Sequence, residues 1–183
     1  MRYLTGTIFL LAFLCTFTWP VQAQPQNVIK TNIISPLLLT GNFAYERALN
    51  EHNSLQVGVF VSGLRLSGVK YRGFGFTPEY RFYLMNSQTA PNGFYVAPFF
   101  RYRNFEIEDA DQPQVGGRLR TYGGGVTAGY QAIFSERFSL DVFLGPSVSS
   151  ASVRSNDGYT PSLPFGLFSG FGLRAGLTFG LAF

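Results

Sequence analysis

The sequence predicts one all-β domain that folds as an eight-stranded antiparallel up-and-down β-barrel and crosses a membrane. The last thirteen residues alternate strictly, with apolar side chains at every second position from Phe171 to Phe183. The positions between them hold glycine, small residues and Arg174, and a period of two is typical of a strand. Composition agrees, because 17% of the residues are aromatic and only 13% are charged. An oily face opposed to a small or polar one suits a transmembrane strand whose outer side meets lipid.

The first 23 residues have the pattern of a secretory signal peptide. Arg2 supplies a positive start, Leu4–Trp19 forms an apolar run, and Val21 and Ala23 place small residues before a cut at Gln24. The alternative is an uncleaved transmembrane helix, which the near-minimal length of the run and the cleavage pattern disfavour. We therefore expect residues 1–23 to be removed after export and residues 24–183 to form the barrel domain.

The number of cysteines and the distribution of charge argue against a disulfide-rich protein, a lipoprotein and a nucleic-acid-binding protein. Cys15 is the only cysteine and lies in the predicted signal peptide, so the exported chain forms no disulfide framework. It is not expected to carry a lipid, because bulky Leu14 precedes it. Basic residues exceed acidic ones, but they are scattered singly among aromatic residues and form no patch. The sequence therefore predicts no nucleic-acid partner.

Alternating segments separated by turn residues give the eight predicted strands. Nearly all of them have the roughly 9–11 residues that a tilted membrane-spanning strand needs. Their predicted bounds are Val28–Leu38, Asn42–Leu49, Ser54–Leu64, Val69–Leu84, Phe94–Phe105, Arg118–Phe134, Phe138–Ser150 and Phe171–Phe183.

The even number of strands places both termini on one side of the membrane. Connections after the second, fourth and sixth strands are predicted to be periplasmic, and two of these three are short. Long extracellular loops are predicted at Glu106–Gly117 and Ala151–Pro164. Short periplasmic turns and longer outer loops are the asymmetry expected of outer-membrane barrels.

Polar residues on the inward faces predict a network of ion pairs in the lumen, since an eight-stranded barrel is just wide enough for side chains to fill. Opposite charges there can pair through charge-assisted hydrogen bonds. The alternative is a narrow polar path for ions or small solutes. The residues of this predicted network are Glu46, Glu79, Arg81, Arg101, Arg103, Gln131, Asp141 and Arg174.

The sequence indicates no catalytic site, metal or cofactor. His52 is the only histidine and falls in a predicted periplasmic turn, away from where a serine–histidine lipid hydrolase would need it. The acidic run Glu106–Asp111 offers oxygen ligands but lacks a calcium-loop pattern, so we interpret it as solvated loop. Gly123–Gly125 lacks the strand-to-helix setting of a phosphate-binding loop.

Diffuse motifs along the exported chain resemble the barrel domains of unknown function found in Bacteroidota outer membranes. They are Lys30–Asn32, Phe76–Tyr83, Gly129–Gln131, Phe138–Asp141, Gly145–Pro146 and the terminal phenylalanine. The resemblance implies an outer-membrane location and insertion by the barrel-assembly machinery, which reads an aromatic-ended last strand. Phe179, Leu181 and Phe183 would form that signal. The resemblance implies no activity.

The sequence thus predicts a non-enzymatic outer-membrane barrel with a structural or surface-interaction role. Its partners would be the lipid bilayer and the assembly machinery, and its outer loops would be available for contacts. Three alternatives remain: a narrow channel, an outer-membrane enzyme that modifies lipid, and a soluble calyx that encloses a hydrophobic ligand. The calyx would need its bulky faces turned inward and a polar exterior.

Overall fold

Eight β-strands make up most of the structure, which is a computed structural model that describes residues 25–33, 40–66, 69–109, 116–155 and 169–183. The predicted signal peptide lies outside these residues. In these ranges no helix is long and apolar enough to cross a membrane. The strands are β1 (Asn27–Asn32), β2 (Thr40–Ala48), β3 (Asn53–Leu66), β4 (Val69–Tyr83), β5 (Gly93–Asp109), β6 (Gly116–Phe134), β7 (Phe138–Ser155) and β8 (Gly170–Ala182).

Each strand pairs antiparallel with the next, and β8 pairs with β1, so the sheet closes on itself. At the seam, the N–H of Asn27 donates to the carbonyl of Phe183 at 3.0 Å, and the N–H of Phe183 donates back at 2.9 Å. Closure gives every strand a paired neighbour on both sides over at least part of its length, which removes the two free edges of an open sheet. The predicted eight-stranded antiparallel up-and-down barrel is confirmed.

Two turns at one end of the barrel have local geometries that allow short connections between neighbouring strands. In the β2–β3 turn, the side-chain oxygen of Asn50 accepts the N–H groups of His52 and Asn53, each at 2.9 Å. In the β6–β7 turn, Ser135 and Glu136 have φ angles of 52° and 54°. Positive φ at both central residues is the geometry of a type I′ hairpin turn, whose twist matches that of paired strands. We call this the turn end, and the opposite end the loop end.

At the loop end, the prediction of the two long loops was partly wrong. β5 continues to Asp109, β6 begins at Gly116, and β7 continues to Ser155. Glu106 lies directly opposite Arg118 in the ladder, and their side chains form an ion pair at 2.8 Å. Charged residues therefore continue the strands here instead of ending them. The remainder of both predicted loops, and the end of the predicted first strand, lie outside the described residues.

Side chains alternate between a packed interior and an exposed exterior along much of the described part of the strands. On β7, for example, Asp141 and Phe143 are buried, whereas Val142 and Leu144 are 54% and 52% exposed. β3 repeats the pattern with buried Ser54 and exposed Leu55. Most of the large apolar residues thus face outward, which is the reverse of a soluble barrel, and a smaller number such as Phe143 pack inside.

Apolar residues on the outside form a continuous outer belt. On β7 it runs from Phe138 to Val148 and then gives way to Ser150, Ser152 and Arg154. Ten residue steps of about 3.3 Å, on a strand tilted by about 40°, span roughly 25 Å along the barrel axis. That height equals the apolar band of outer-membrane barrels, about 25 Å.

A substitution at Gly129 tests the packing of the interior. A Cβ atom at this position would lie 2.6 Å from the Tyr95 hydroxyl and 2.7 Å from the carbonyl oxygen of Val142. We expect Gly129→Ala to lower the free energy of unfolding by about 1–3 kcal/mol through overpacking. The matched control is Gly63→Ala, whose Cβ would have no atom within 4 Å. Denaturant titration of the folded protein measures both, and equal stabilities of the two variants would contradict the described packing.

Candidate functional site in the barrel interior

Two cations and two carboxylates meet inside the barrel near its turn end. Lys30 comes from β1, Glu46 from β2, Arg81 from β4 and Asp141 from β7. Each has an exposed fraction of at most 1%. Because charges of both signs are equal in number, no net charge is buried within this group, which we call the charge cluster.

Lys30 and Arg81 share the same three acceptor oxygens. The ammonium nitrogen of Lys30 lies 2.5 Å from Glu46 Oε2, 2.6 Å from Gln131 Oε1 and 3.2 Å from Asp141 Oδ2. The Nη1 atom of Arg81 lies 3.0 Å from the same aspartate oxygen and 3.3 Å from each of the other two. Each cation therefore has three oxygen partners at hydrogen-bonding distance, which offsets much of the cost of removing it from water.

The remaining oxygen atoms of the two carboxylates also have donors. Glu46 Oε1 accepts from the hydroxyl groups of Tyr83 at 2.7 Å and Ser54 at 2.5 Å. Asp141 Oδ1 accepts from the Tyr95 hydroxyl at 2.8 Å, and the Arg81 guanidinium lies 4.2 Å from the centre of the Tyr95 ring. All four carboxylate oxygens thus accept hydrogen bonds. Seven of the eight strands contribute to this arrangement, which fixes them relative to one another.

A second, smaller group lies beside the charge cluster and involves the eighth strand. Arg174 on β8 pairs with Glu79 Oε1 at 2.5 Å, and Gln56 donates to the same oxygen at 2.9 Å. The Arg174 guanidinium also lies over the rings of Phe99 and Phe143, at 4.4 and 4.7 Å from their centres. Glu79 Oε2 lies 3.5 Å from Arg81 Nη2, which links the two groups.

Six of the eight residues of the predicted ion-pair network come together in or around these two groups, and the other two join neither group. Glu46, Arg81, Gln131 and Asp141 surround Lys30, while Glu79 and Arg174 form the second group. Arg101 and Arg103 lie farther toward the loop end and are partly exposed. The Arg101 guanidinium is 5.5 Å from the centre of the Phe99 ring.

Sequence reasoning missed Lys30 of the charge cluster, and it missed Ser54, Tyr83 and Tyr95, whose hydroxyl groups donate to the cluster's carboxylates. Lys30 alternates with Ile29, which is exposed, and with Thr31, so the period of two in β1 contained the signal. Tyr83 and Tyr95 each carry a hydroxyl group, and the hydroxyl of a buried tyrosine usually forms a hydrogen bond. Which carboxylate each hydroxyl reaches depends on strand register and could not be read from the sequence.

The other candidate residues lie away from the interior. His52 is exposed in the β2–β3 turn, and Glu106 is exposed on β5. Within the described ranges no three His, Cys, Asp or Glu side chains are grouped so that they could hold a metal ion. Phe179, Leu181 and Phe183, the predicted assembly signal, are 38%, 52% and 59% exposed beside the β1–β8 seam.

Because the cluster has equal numbers of positive and negative charges, we expect substitutions of Lys30 and Asp141 to have non-additive effects on stability. Asp141→Asn leaves Glu46 as the one carboxylate within the cluster for Lys30 and Arg81, and removal of one partner of a buried ion pair costs about 3–5 kcal/mol. The double variant K30M/D141N restores equal numbers of charges, so we expect it to lose less stability than the sum of the single variants. Denaturant titration in detergent micelles measures the free energies of unfolding.

Arg118→Gln is the matched control for that comparison, because it removes the exposed ion pair with Glu106. An exposed pair contributes about 0–1 kcal/mol. Strict additivity of K30M and D141N, or an effect of D141N no larger than that of R118Q, would contradict the coupling described for the cluster.

Comparison with known proteins supplies a family but no activity. The model of a protein family of unknown function, DUF3575, matches residues 7–153, which is well over half of the chain. No curated protein and no solved structure matches the chain. The chain therefore belongs to the DUF3575 family, whose description assigns no function.

Proposed function

We propose that this chain is a non-enzymatic barrel of a bacterial outer membrane with a structural or surface-interaction role. The observation that carries the proposal is the outer apolar belt of roughly 25 Å, which water would solvate poorly and which lipid chains would cover. Exported, signal-peptide-bearing chains of this kind would be inserted by the barrel-assembly machinery through the terminal residues Phe179, Leu181 and Phe183. The turn end would then face the periplasm.

Aromatic side chains at both edges of the belt support this location. At the turn end, Phe138 stacks on Phe134 and Phe179, with ring centres 6.0 and 5.9 Å apart. At the loop end, Tyr102 lies 5.1 Å from Tyr122 and 6.4 Å from Phe74. Girdles of aromatic residues at the two membrane–water interfaces are typical of outer-membrane barrels.

A filled interior supports a structural role over transport. The four members of the charge cluster have almost no contact with solvent, and hydrogen bonds join them across the barrel. A permeating ion would have to break several of these bonds and leave buried charges without partners, at a cost of several kcal/mol. We therefore favour a plug over the alternative of a narrow channel.

Arginine substitutions on the outer face distinguish a membrane barrel from a soluble calyx. Val142 lies near the middle of the belt and is 54% exposed, so Val142→Arg should cost about 2–4 kcal/mol in a bilayer. Ser152→Arg, beyond the belt on the same strand, is the matched control and should cost about 0–1 kcal/mol. Denaturant titration of the protein folded in phosphatidylcholine vesicles measures both.

If water instead of lipid surrounded Val142, V142R would not cost more stability than S152R. An exposed valine on a soluble protein tolerates substitution within about 0.5 kcal/mol, so V142R and S152R would then behave alike. Failure of the wild-type protein to enter vesicles, or solubility without detergent, would also contradict the proposal.

A further inference from the structure

Four arginines are grouped on the outer face at the loop end of the barrel. Arg72 lies on β4, Arg118 and Arg120 lie on β6, and Arg154 lies on β7. Arg72, Arg118 and Arg154 are exposed, and Arg120 is partly exposed. We call these four residues the arginine rim.

The strand register places three of these arginines in one row. Arg72 lies opposite Glu106, Glu106 lies opposite Arg118, and Arg118 lies opposite Arg154. Four consecutive strands thus present three cations and one carboxylate, and Glu106 is already paired with Arg118 at 2.8 Å. Like charges directly opposite each other in a ladder are destabilising, as for Arg118 and Arg154. A bound anion would relieve this repulsion.

The position of the arginine rim relative to the outer belt indicates which kind of anion it would contact. Arg72 and Arg120 are the next outward residues after Phe74 and Tyr122, which end the belt on β4 and β6. Two residues along a tilted strand correspond to roughly 5 Å beyond the apolar edge. Lipid headgroups occupy about the first 5–8 Å outside the hydrocarbon of each leaflet.

The guanidinium groups of the rim suit a phosphate ligand, although one nitrogen of Arg120 is not accessible. Its Nε atom is buried without a hydrogen-bond partner among the described residues, so a headgroup would have to meet the partly exposed end of the guanidinium. A guanidinium group matches the geometry of a phosphate, which it can bind through two parallel N–H donors.

We infer that the arginine rim binds the phosphate groups of anionic lipids in the leaflet at the loop end of the barrel. The inference rests on the proposed membrane location and extends it by naming the lipid class and the residues that select it. Each arginine near an anionic surface contributes about 1 kcal/mol, or about fivefold in affinity. The attraction weakens as salt is added, because it is electrostatic.

Spin-labelled lipids test the two proposals separately. The wild-type protein is reconstituted in phosphatidylcholine bilayers that contain trace spin-labelled phosphatidylcholine or spin-labelled phosphatidylglycerol. A motionally restricted component for phosphatidylcholine reports lipid contact and so tests the membrane location. The ratio of association constants for the two labels tests the rim, and we expect phosphatidylglycerol to bind at least about fivefold more strongly.

Matched double variants show which arginines cause the preference for phosphatidylglycerol over phosphatidylcholine. R72Q/R120Q should lose most of the preference for phosphatidylglycerol while keeping the restricted phosphatidylcholine component. R47Q/R137Q removes the same number of charges from exposed positions at the turn end and should keep the preference. R118Q/R154Q, which changes two exposed side chains, provides the same readout if R72Q/R120Q does not fold.

Two results would overturn the inference. One is a wild-type protein with equal affinity for the two lipids, and the other is an equal loss of preference in R47Q/R137Q. In both cases a restricted phosphatidylcholine component would leave the membrane location standing. Absence of that component would instead contradict the proposed function itself.

Discussion

Closure of the sheet between β1 and β8 is the constraint on which the other features of this protein depend. Where a strand has a neighbour on both sides, its backbone polar groups are paired and its side chains point either into the barrel or out of it. The inner positions share a space of fixed and narrow width, whereas the outer positions face the surroundings. Residue chemistry largely follows this division, since the charge cluster lies inside and most of the large apolar side chains lie outside.

Inside, closure brings together residues that are far apart in the chain. Lys30 and Asp141 are separated by 111 positions, yet their side chains are 3.2 Å apart. A buried ion pair is weak evidence for stability, because desolvation offsets much of its Coulomb attraction. Its effect here is on register: a slip of one residue in any strand would turn that strand's inner group outward and leave a partner unpaired. The charge cluster thereby favours one arrangement of the eight strands.

Much of this architecture was readable from the sequence, and the exceptions have physical causes. The alternation in β8 and the inward positions of Glu79 and Arg81 on β4 follow from a period of two. The acidic stretch that begins at Glu106 was misread as a loop, because charged residues on both faces break the apolar alternation. Beyond the belt, however, a strand can be polar on its outer side, and Glu106 pairs there with Arg118. Cross-strand partners such as Tyr95 and Asp141 depend on the register of several strands, which a single sequence does not determine.

Nuclear Overhauser effects in lipid nanodiscs test most directly whether the outer belt meets hydrocarbon. Protons of the acyl-chain methylene groups should show cross-peaks to the methyl groups of Val142 and Leu144 and none to Thr127, which is buried in the interior. The proposed membrane barrel predicts this division for every belt residue between the two aromatic edges. Cross-peaks from water, and none from lipid, at Val142 and Leu144 would contradict it.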